Sequence, residues 1–281
     1  MDTEQQVARH YGARSGAGDA ALETRIIEAL IKSGKDVGKL TAADLSGADE
    51  FHLGWRAQTV ELARELGLAP GLRVLDIGSG IGGPARYFAE AHGCRVTGID
   101  LTPEFVACAV ALTARCGLAG RVDFQQGSAL AMPFAASTFD AATLIHVGMN
   151  IADKAKLFAE ARRVLMAGGT FCVYDVMQMD AAPLPYPMPW AASLETSFVE
   201  TPETYRRLLE AAGFRIRQER NRRDFVLALA KRMREDIAVN GAPPLSLHVL
   251  MGPAGKERLG NVMAALERGS IAPVEMIAVA A

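Results

Sequence analysis

The sequence predicts an α/β protein: an open, doubly wound, mostly parallel sheet of seven strands with helices packed on it. Three observations carry this. From residue 72 onward, short apolar runs alternate with amphipathic stretches, the pattern of parallel strands joined by helical crossovers. Residues 74–77 form an apolar run suited to a strand buried on both faces, and they lead into a glycine-rich turn before Pro84 opens a helix. Half of the 281 residues are apolar. That suffices for one α/β core of about 200 residues with additions at the ends or in loops.

Taken in order, residues 1–69 read as an N-terminal helical cap. Residues 21–32 put Leu22, Ile26, Ile27 and Leu30 on one face, and 55–66 make a second helix closed by Gly67. The stretch between them, 34–49, is polar and turn-rich. A core over 70–222 then carries strands at 72–77, 95–100, 121–126, 138–146 and 170–176. After the second strand Thr102 is a good N-cap, Pro103 sits at N1, Glu104 favours the helix dipole and Gly117 ends the helix. Thr201, Pro202 and Glu203 repeat that signature for a helix ending at Gly213, and 214–219 is a sixth strand. Between them, 177–200 holds Pro183, Pro185, Pro187 and Pro189, with Tyr186 and Trp190. Such a loop cannot be regular, and it lies beyond a strand's carboxyl end, where open α/β sheets bind ligands. It is expected to be a lid on the acceptor side. Residues 223–281 supply two further helices, over 223–268, and a last strand at 274–279.

Composition narrows the function classes. The formal net charge is −2, so no basic field favours nucleic acid or an anionic membrane. The first residues, Met-Asp-Thr-Glu-Gln-Gln, are acidic and polar, unlike a signal sequence. No apolar run approaches the length of a membrane span. Cys94, Cys108, Cys116 and Cys172 lie in apolar stretches without C-x-x-C spacing, and the histidines are scattered. A cytoplasmic protein with reduced thiols and no metal cluster is expected.

The turn after the first strand reads Asp76-Ile77-Gly78-Ser79-Gly80-Ile81-Gly82-Gly83. Glycines there let a ligand lie against bare backbone, beside the unpaired N–H groups of a helix start. Gly78, Gly80 and Gly83, with Asp100 downstream, also fit the dinucleotide fingerprint, so a nicotinamide-dependent oxidoreductase is a competing reading. Asp76 separates the two. A carboxylate just before the first glycine suits a cationic ligand and suits a pyrophosphate poorly. S-adenosyl-L-methionine, with an ammonium and a sulfonium at its methionyl end, fits.

The chain from about residue 70 to the end resembles the class I S-adenosylmethionine-dependent methyltransferases, small-molecule branch, which includes ubiquinone/menaquinone-pathway, sarcosine/dimethylglycine and sugar O-methyltransferases. The resemblance rests on V-L-D-I-G-S-G-I-G-G at 74–83, V-T-G-I-D at 96–100, the 132–140 segment entering the fourth strand, and R-V-L-M-A-G-G at 163–169. Met166-Ala167 replace the family's usual basic residue and proline before the Gly-Gly. The resemblance implies an antiparallel last strand and helical elements covering the active site. It also implies that Gly78, Ser79, Gly80 and Gly82 pass under the methionyl group and that Asp76 faces its ammonium. Asp100 would take both ribose hydroxyls, and Leu101 would pack on the adenine. The family commonly has Gly-Asp-Ala after the third strand, its aspartate bonding the adenine amino group. Here Gly127-Ser128-Ala129 keeps an acceptor at Ser128 but loses the charge.

Methyl transfer from a sulfonium needs alignment and exclusion of water, and a base only for an acceptor that arrives protonated. His146, ending the fourth strand, is the candidate base; otherwise it lines the donor pocket. Asn150 orients an acceptor or caps the helix starting near Asp153. Asp175 pairs with an amine acceptor or caps a turn. Tyr186 and Trp190 flank a planar or cationic acceptor or anchor the lid. Tyr11 and the 51–55 segment, with Trp55, resemble parts that close over donor and acceptor, although Trp55 also fits a core role. Arg206, Arg207, Arg215, Arg217, Arg220, Arg222 and Arg223 form a basic cluster, either a solvated face or a seat for an anionic acceptor. A nucleic-acid acceptor is disfavoured, because the turn after the fourth strand reads His-Val-Gly-Met-Asn instead of Asn/Asp-Pro-Pro-aromatic. The expected function is O- or N-methylation of a small molecule. Alternatives are C-methylation of a quinone or prenyl-type molecule, and a non-catalytic protein that binds S-adenosylmethionine.

Overall fold

A computed structural model describes residues 3–12, 22–251 and 254–281. Met1, Asp2 and Ala21, named above, lie outside the described residues. Four helices precede the sheet: α1 (Thr3–Gly12), α2 (Leu22–Lys32), α3 (Ala42–Asp49) and α4 (Trp55–Glu65). There follow β1 (Arg73–Ile77), α5 (Gly83–His92), β2 (Arg95–Asp100), α6 (Pro103–Arg115), β3 (Val122–Gln126), β4 (Phe139–Ile145), α7 (Lys154–Val164) and β5 (Leu165–Gln178). The chain closes with α8 (Pro202–Ala211), β6 (Phe214–Asn221), α9 (Arg223–Asn240), α10 (His248–Met251), α11 (Gly255–Arg268) and β7 (Ile271–Ala280).

The seven strands form one sheet in the order β3-β2-β1-β4-β5-β7-β6. β1 to β5 pair in parallel, and β7 lies antiparallel between β5 and β6. The order reverses between β1 and β4, so the crevice at the carboxyl ends of these strands is the natural ligand position. Strand alternation builds both faces. Leu75 and Ile77 of β1 join Leu144, Phe158, Val173 and Tyr205 in one core. Val74 joins Leu62, Phe88, Val96, Cys172 and Tyr174 in the other. Asp76 shares the parity of Val74, which brings a carboxylate to a buried strand tip at 2 % exposure.

Four expectations need correction. Residues 42–49 are helical, although 34–49 reads as polar and turn-rich. A capping box starts α3, with Thr41 accepting from the Asp44 N–H and Asp44 from the Thr41 N–H. Its buried face includes Asp49, so the apolar period is broken in the sequence. Thr102 precedes α6 without a side-chain cap bond; Asp100 Oδ1 instead accepts from the Thr102 N–H at 2.8 Å. β5 runs to Gln178, because Val176–Gln178 find partners at Ile271–Pro273 of β7. The short α10 adds a third helix to the two expected over 223–268. The Thr201-Pro202-Glu203 start does cap α8, through Thr201 Oγ1 and the Thr204 N–H. Among the described residues no helix is long and apolar enough to cross a membrane.

Candidate active site

The sheet order sets the site. Read across the carboxyl edge, the strand ends present Gly127 and Ala129 after β3, Asp100 and Leu101 at the end of β2, Asp76 and the turn residues Gly78, Ser79 and Gly80 at β1, His146 after β4, and Val176 on β5. All of them line one cavity of about 340 Å³. Strands are about 4.8 Å apart, so β3 to β5 spans roughly 19 Å, enough for two small molecules end to end.

One half of this row is polar and shaped by backbone. The Gly78 and Ser79 N–H groups donate to Ile99 O at 2.8 and 3.0 Å, and Gly80 N–H to Asp100 Oδ2 at 2.8 Å. Gly78 sits at φ +72°, where a Cβ would meet Val147 Cγ2 at 2.3 Å, so only glycine fits this turn. Asp76 Oδ1 accepts from Thr143 Oγ1 at 2.7 Å. Asp76 Oδ2 and Ser79 Oγ are buried without hydrogen-bond partners. A buried orphan carboxylate oxygen beside bare backbone is what a ligand ammonium would satisfy, so the residues present fit the methionyl end of S-adenosylmethionine. Burial pushes the Asp76 pKa up to about 7, against the pull of the Thr143 bond. Burial also raises the Asp100 carboxyl, opposed by its bonds to backbone N–H groups.

The other half is apolar. Leu53, Met149, Val176, Trp190 and Val262 belong to one buried cluster, and each also faces the cavity. No lysine or arginine lines the cavity among the described residues; its charged lining is Glu4, Asp49, Asp76, Asp100 and Asp153.

His146 stands between the halves at φ +54°, a left-handed conformation unusual for a residue with Cβ. Its Nδ1 lies 3.3 Å from Tyr174 O, and its Nε2 accepts from the Leu53 N–H at 3.2 Å. Tyr174 Oη donates to Leu53 O at 2.6 Å. His146 and Tyr174 thus hold both backbone groups of Leu53 and dock the 50–55 segment. Burial, then the neighbouring His52, lower the His146 pKa well below its ordinary value, so the ring is neutral. With Nδ1–H donating, the Nε2 lone pair is already used.

Next to it lies a buried group that the sequence reading did not single out. His52 Nε2 meets Glu50 Oε2 at 2.8 Å and Thr59 Oγ1 at 3.1 Å, and Arg56 Nε lies 2.7 Å from Glu50 Oε1. Burial raises the Glu50 pKa, but the His52 bond and the charges of His52 and Arg56 outweigh it, and Glu50 stays below its usual value. Asp49 pairs with the fully buried Arg86 at 2.9 Å. The only signal for these residues was an acidic pair, Asp49-Glu50, directly before an apolar segment.

Of the candidate residues, Tyr11, Trp55, Asp76, Gly78, Ser79, Gly80, Asp100, Leu101, Ala129, His146, Asn150 and Trp190 line the cavity. Gly82, Ser128 and Tyr186 do not. A Cβ on Gly82 would point at Phe124 and Arg86. Ser128 Oγ donates to Glu4 and accepts from the Leu130 N–H. Tyr186 packs against the apolar cluster behind Trp190. Asn150 does not cap α7; Asp153 does, through the Lys156 N–H, and Asn150 accepts from Tyr11 Oη at 3.3 Å. Asp175 takes the turn role of its two expected ones, accepting from the Met149 backbone N–H in the turn at 148–150 and from the Val176 N–H at 2.9 Å. It is buried, accepts from Tyr205 Oη at 2.6 Å, and burial lifts its pKa to about 6. None of the seven arginines of 206–223 lines the cavity. Arg206 pairs with Glu219, Arg220 with Glu65 and Glu275, and Arg223 binds the end of α11 through Leu266 O and Glu267 O.

Comparison with known proteins bears on the domain and the fold. Residues 75–173 match the family described as a methyltransferase domain. The chain thus carries a methyltransferase domain over about a third of its length, within a seven-stranded sheet of the kind found in class I S-adenosylmethionine-dependent methyltransferases. The chain is similar to the sterol 24-C-methyltransferase ERG6B of Gibberella zeae, with 37% identity over 119 residues, 42% of this chain and 31% of that protein. The match thus spans about a third of the length of that curated relative. Among solved structures, the [4+2]-cyclase SpnF has 23% identity and a TM-score of 0.69, covering 99% of this chain and 97% of that one. Geranyl diphosphate C-methyltransferase from Streptomyces coelicolor A3(2), solved with Mg2+, geranyl diphosphate and S-adenosyl-L-homocysteine, has 16% identity and a TM-score of 0.67, covering 100% of this chain and 98% of that one. Both share the fold.

Proposed function

We propose that this chain transfers a methyl group from S-adenosylmethionine to an uncharged, apolar small molecule. The observation that carries the reading is the division of one cavity. Its β1–β3 half offers an orphan Asp76 oxygen, a glycine cradle and Asp100, and its β5 half is lined by Leu53, Met149, Val176, Trp190 and Val262. When bound, S-adenosylmethionine supplies a sulfonium-activated methyl group. The chain's own residues then bind, align and exclude water. Asp76 takes the ammonium, Asp100 the ribose hydroxyls, and Leu101 one face of the base.

The acceptor class follows from charge. A buried diphosphate needs cationic partners, from side chains or a divalent ion; no lysine or arginine lines the cavity, and among the described residues no group of three or more His, Cys, Asp or Glu could hold such an ion. The acceptor of this chain therefore differs from the geranyl diphosphate of its structural neighbour and lies nearer the sterol-type molecules named for ERG6B. His146 acts as a wall and a positioning residue, because both ring nitrogens are engaged. The free thiols at Cys94, Cys108, Cys116 and Cys172 support a cytoplasmic location.

The test is turnover with methyl-labelled S-adenosylmethionine against neutral apolar acceptors and against prenyl diphosphates, following S-adenosylhomocysteine release and label in the acceptor. Label in neutral acceptors alone is expected. Label confined to diphosphates contradicts the acceptor class. Conversion of an acceptor without release of S-adenosylhomocysteine contradicts methyl transfer, an outcome that matters because a cyclase shares this fold.

A further inference from the structure

We infer that Glu4 is the acceptor for the adenine amino group of the donor, carried into the donor site on α1. The inference rests on the donor reading above. With the methionyl end at Asp76 and the ribose at Asp100, the base extends toward the next strand end, β3, and the turn 127–131. The exocyclic amino group is a hydrogen-bond donor that loses water on entering the cavity, so it needs an acceptor there.

Ser128 does not supply it. Its hydroxyl hydrogen is committed to Glu4, one of its two lone pairs accepts from the Leu130 N–H at 3.0 Å, and the residue does not line the cavity. Glu4 does line the cavity. A carboxylate accepts several hydrogen bonds, so the one from Ser128 leaves room for an amino N–H. Ser128 thus aims Glu4. The helix that brings Glu4 is seated by Tyr11, whose ring meets Phe105 edge-on at 5.9 Å and whose Oη donates to Asn150 at 3.3 Å. Thr3, Val7 and Tyr11 of the same helix also face the cavity. The charge absent at Ser128 is therefore restored from a segment about 120 residues away in sequence, and donor recognition is joined to the seating of α1.

The test is titration calorimetry with S-adenosylhomocysteine and S-inosylhomocysteine, in which a ring carbonyl replaces the amino group, on the full chain and on Glu4→Ala and Glu4→Gln. The full chain should prefer the adenine compound by about tenfold or more, the worth of a hydrogen bond to a charged group. Glu4→Ala should bring the two affinities within about threefold of each other, and Glu4→Gln should retain part of the preference through its amide oxygen. A merely structural role for Glu4 would weaken both compounds alike. An unchanged preference in Glu4→Ala overturns the inference alone. A full chain that binds neither compound overturns it together with the donor reading.

Discussion

Asp76 carries a charge that the free protein is reluctant to form. Its pKa is raised from 3.8 to about 7 by burial. The folded state therefore keeps this proton up to about pH 7, whereas the unfolded chain releases it near 3.8. The stability linked to it is present at low pH and lost as pH rises through about 7. Chemical denaturation of the unliganded protein at pH 5 and pH 8 should show a fall that is smaller in Asp76→Asn; Asp175, raised to about 6, adds a fall of the same sign to both. The donor's ammonium favours the carboxylate, so calorimetric affinity for S-adenosylhomocysteine should climb as pH rises through about 7 in the native chain and stay flat in Asp76→Asn. His146 makes a different forecast. Losing the acceptor of the Leu53 N–H should cost about 1–3 kcal/mol of stability in His146→Ala. Its pH–rate profile should keep the native shape, whereas loss of a general base would cost about 10²–10⁴ in turnover and remove a limb of the profile.

The helical elements show which local signals decide structure. Thr201 accepts from the Thr204 N–H and Pro202 follows at N1, so α8 starts where its signature says. Thr201→Ala should lower stability by about 1 kcal/mol in urea denaturation with an unchanged m-value. The same reading of Thr102 fails, because the Phe105 N–H that its side chain would serve goes to the Thr102 backbone carbonyl at 3.1 Å. α3 was hidden for a related reason. Its inward face carries Asp49, a polar residue held there chiefly by Arg86, and no local pattern reveals a partner 37 residues downstream. The donor half of the site was legible because glycines and a carboxylate lie together on one turn. Glu4, His52 and the docking of Leu53 were not, since they depend on contacts between α1, the 50–55 segment and strand ends far away in sequence.

Across the whole molecule, alternating strands and helices predicted the sheet, and the switch between β1 and β4 placed the crevice. The arginines of 206–223 left a solvated face and an anion seat both open, because charge density in a sequence does not say which edge of the sheet it faces; none lines the cavity. The N-terminal helices are joined to the core by a buried ion pair. Arg86 of α5 meets Asp49 of α3 at 2.9 Å and also donates to Thr113 Oγ1 at 3.0 Å on α6. Arg86→Ala would strand the Asp49 charge and should cost about 3–5 kcal/mol of unfolding free energy. The central claim is that a sulfonium nucleoside occupies the crevice with its ribose on Asp100. Titration calorimetry of S-adenosylhomocysteine into the native chain and into Asp100→Ala tests it most directly. Saturable binding at one site per chain, weakened by about 1–3 kcal/mol in the variant, is the expected result. Equal affinity in both, or binding of NADH in preference to S-adenosylhomocysteine, would contradict it.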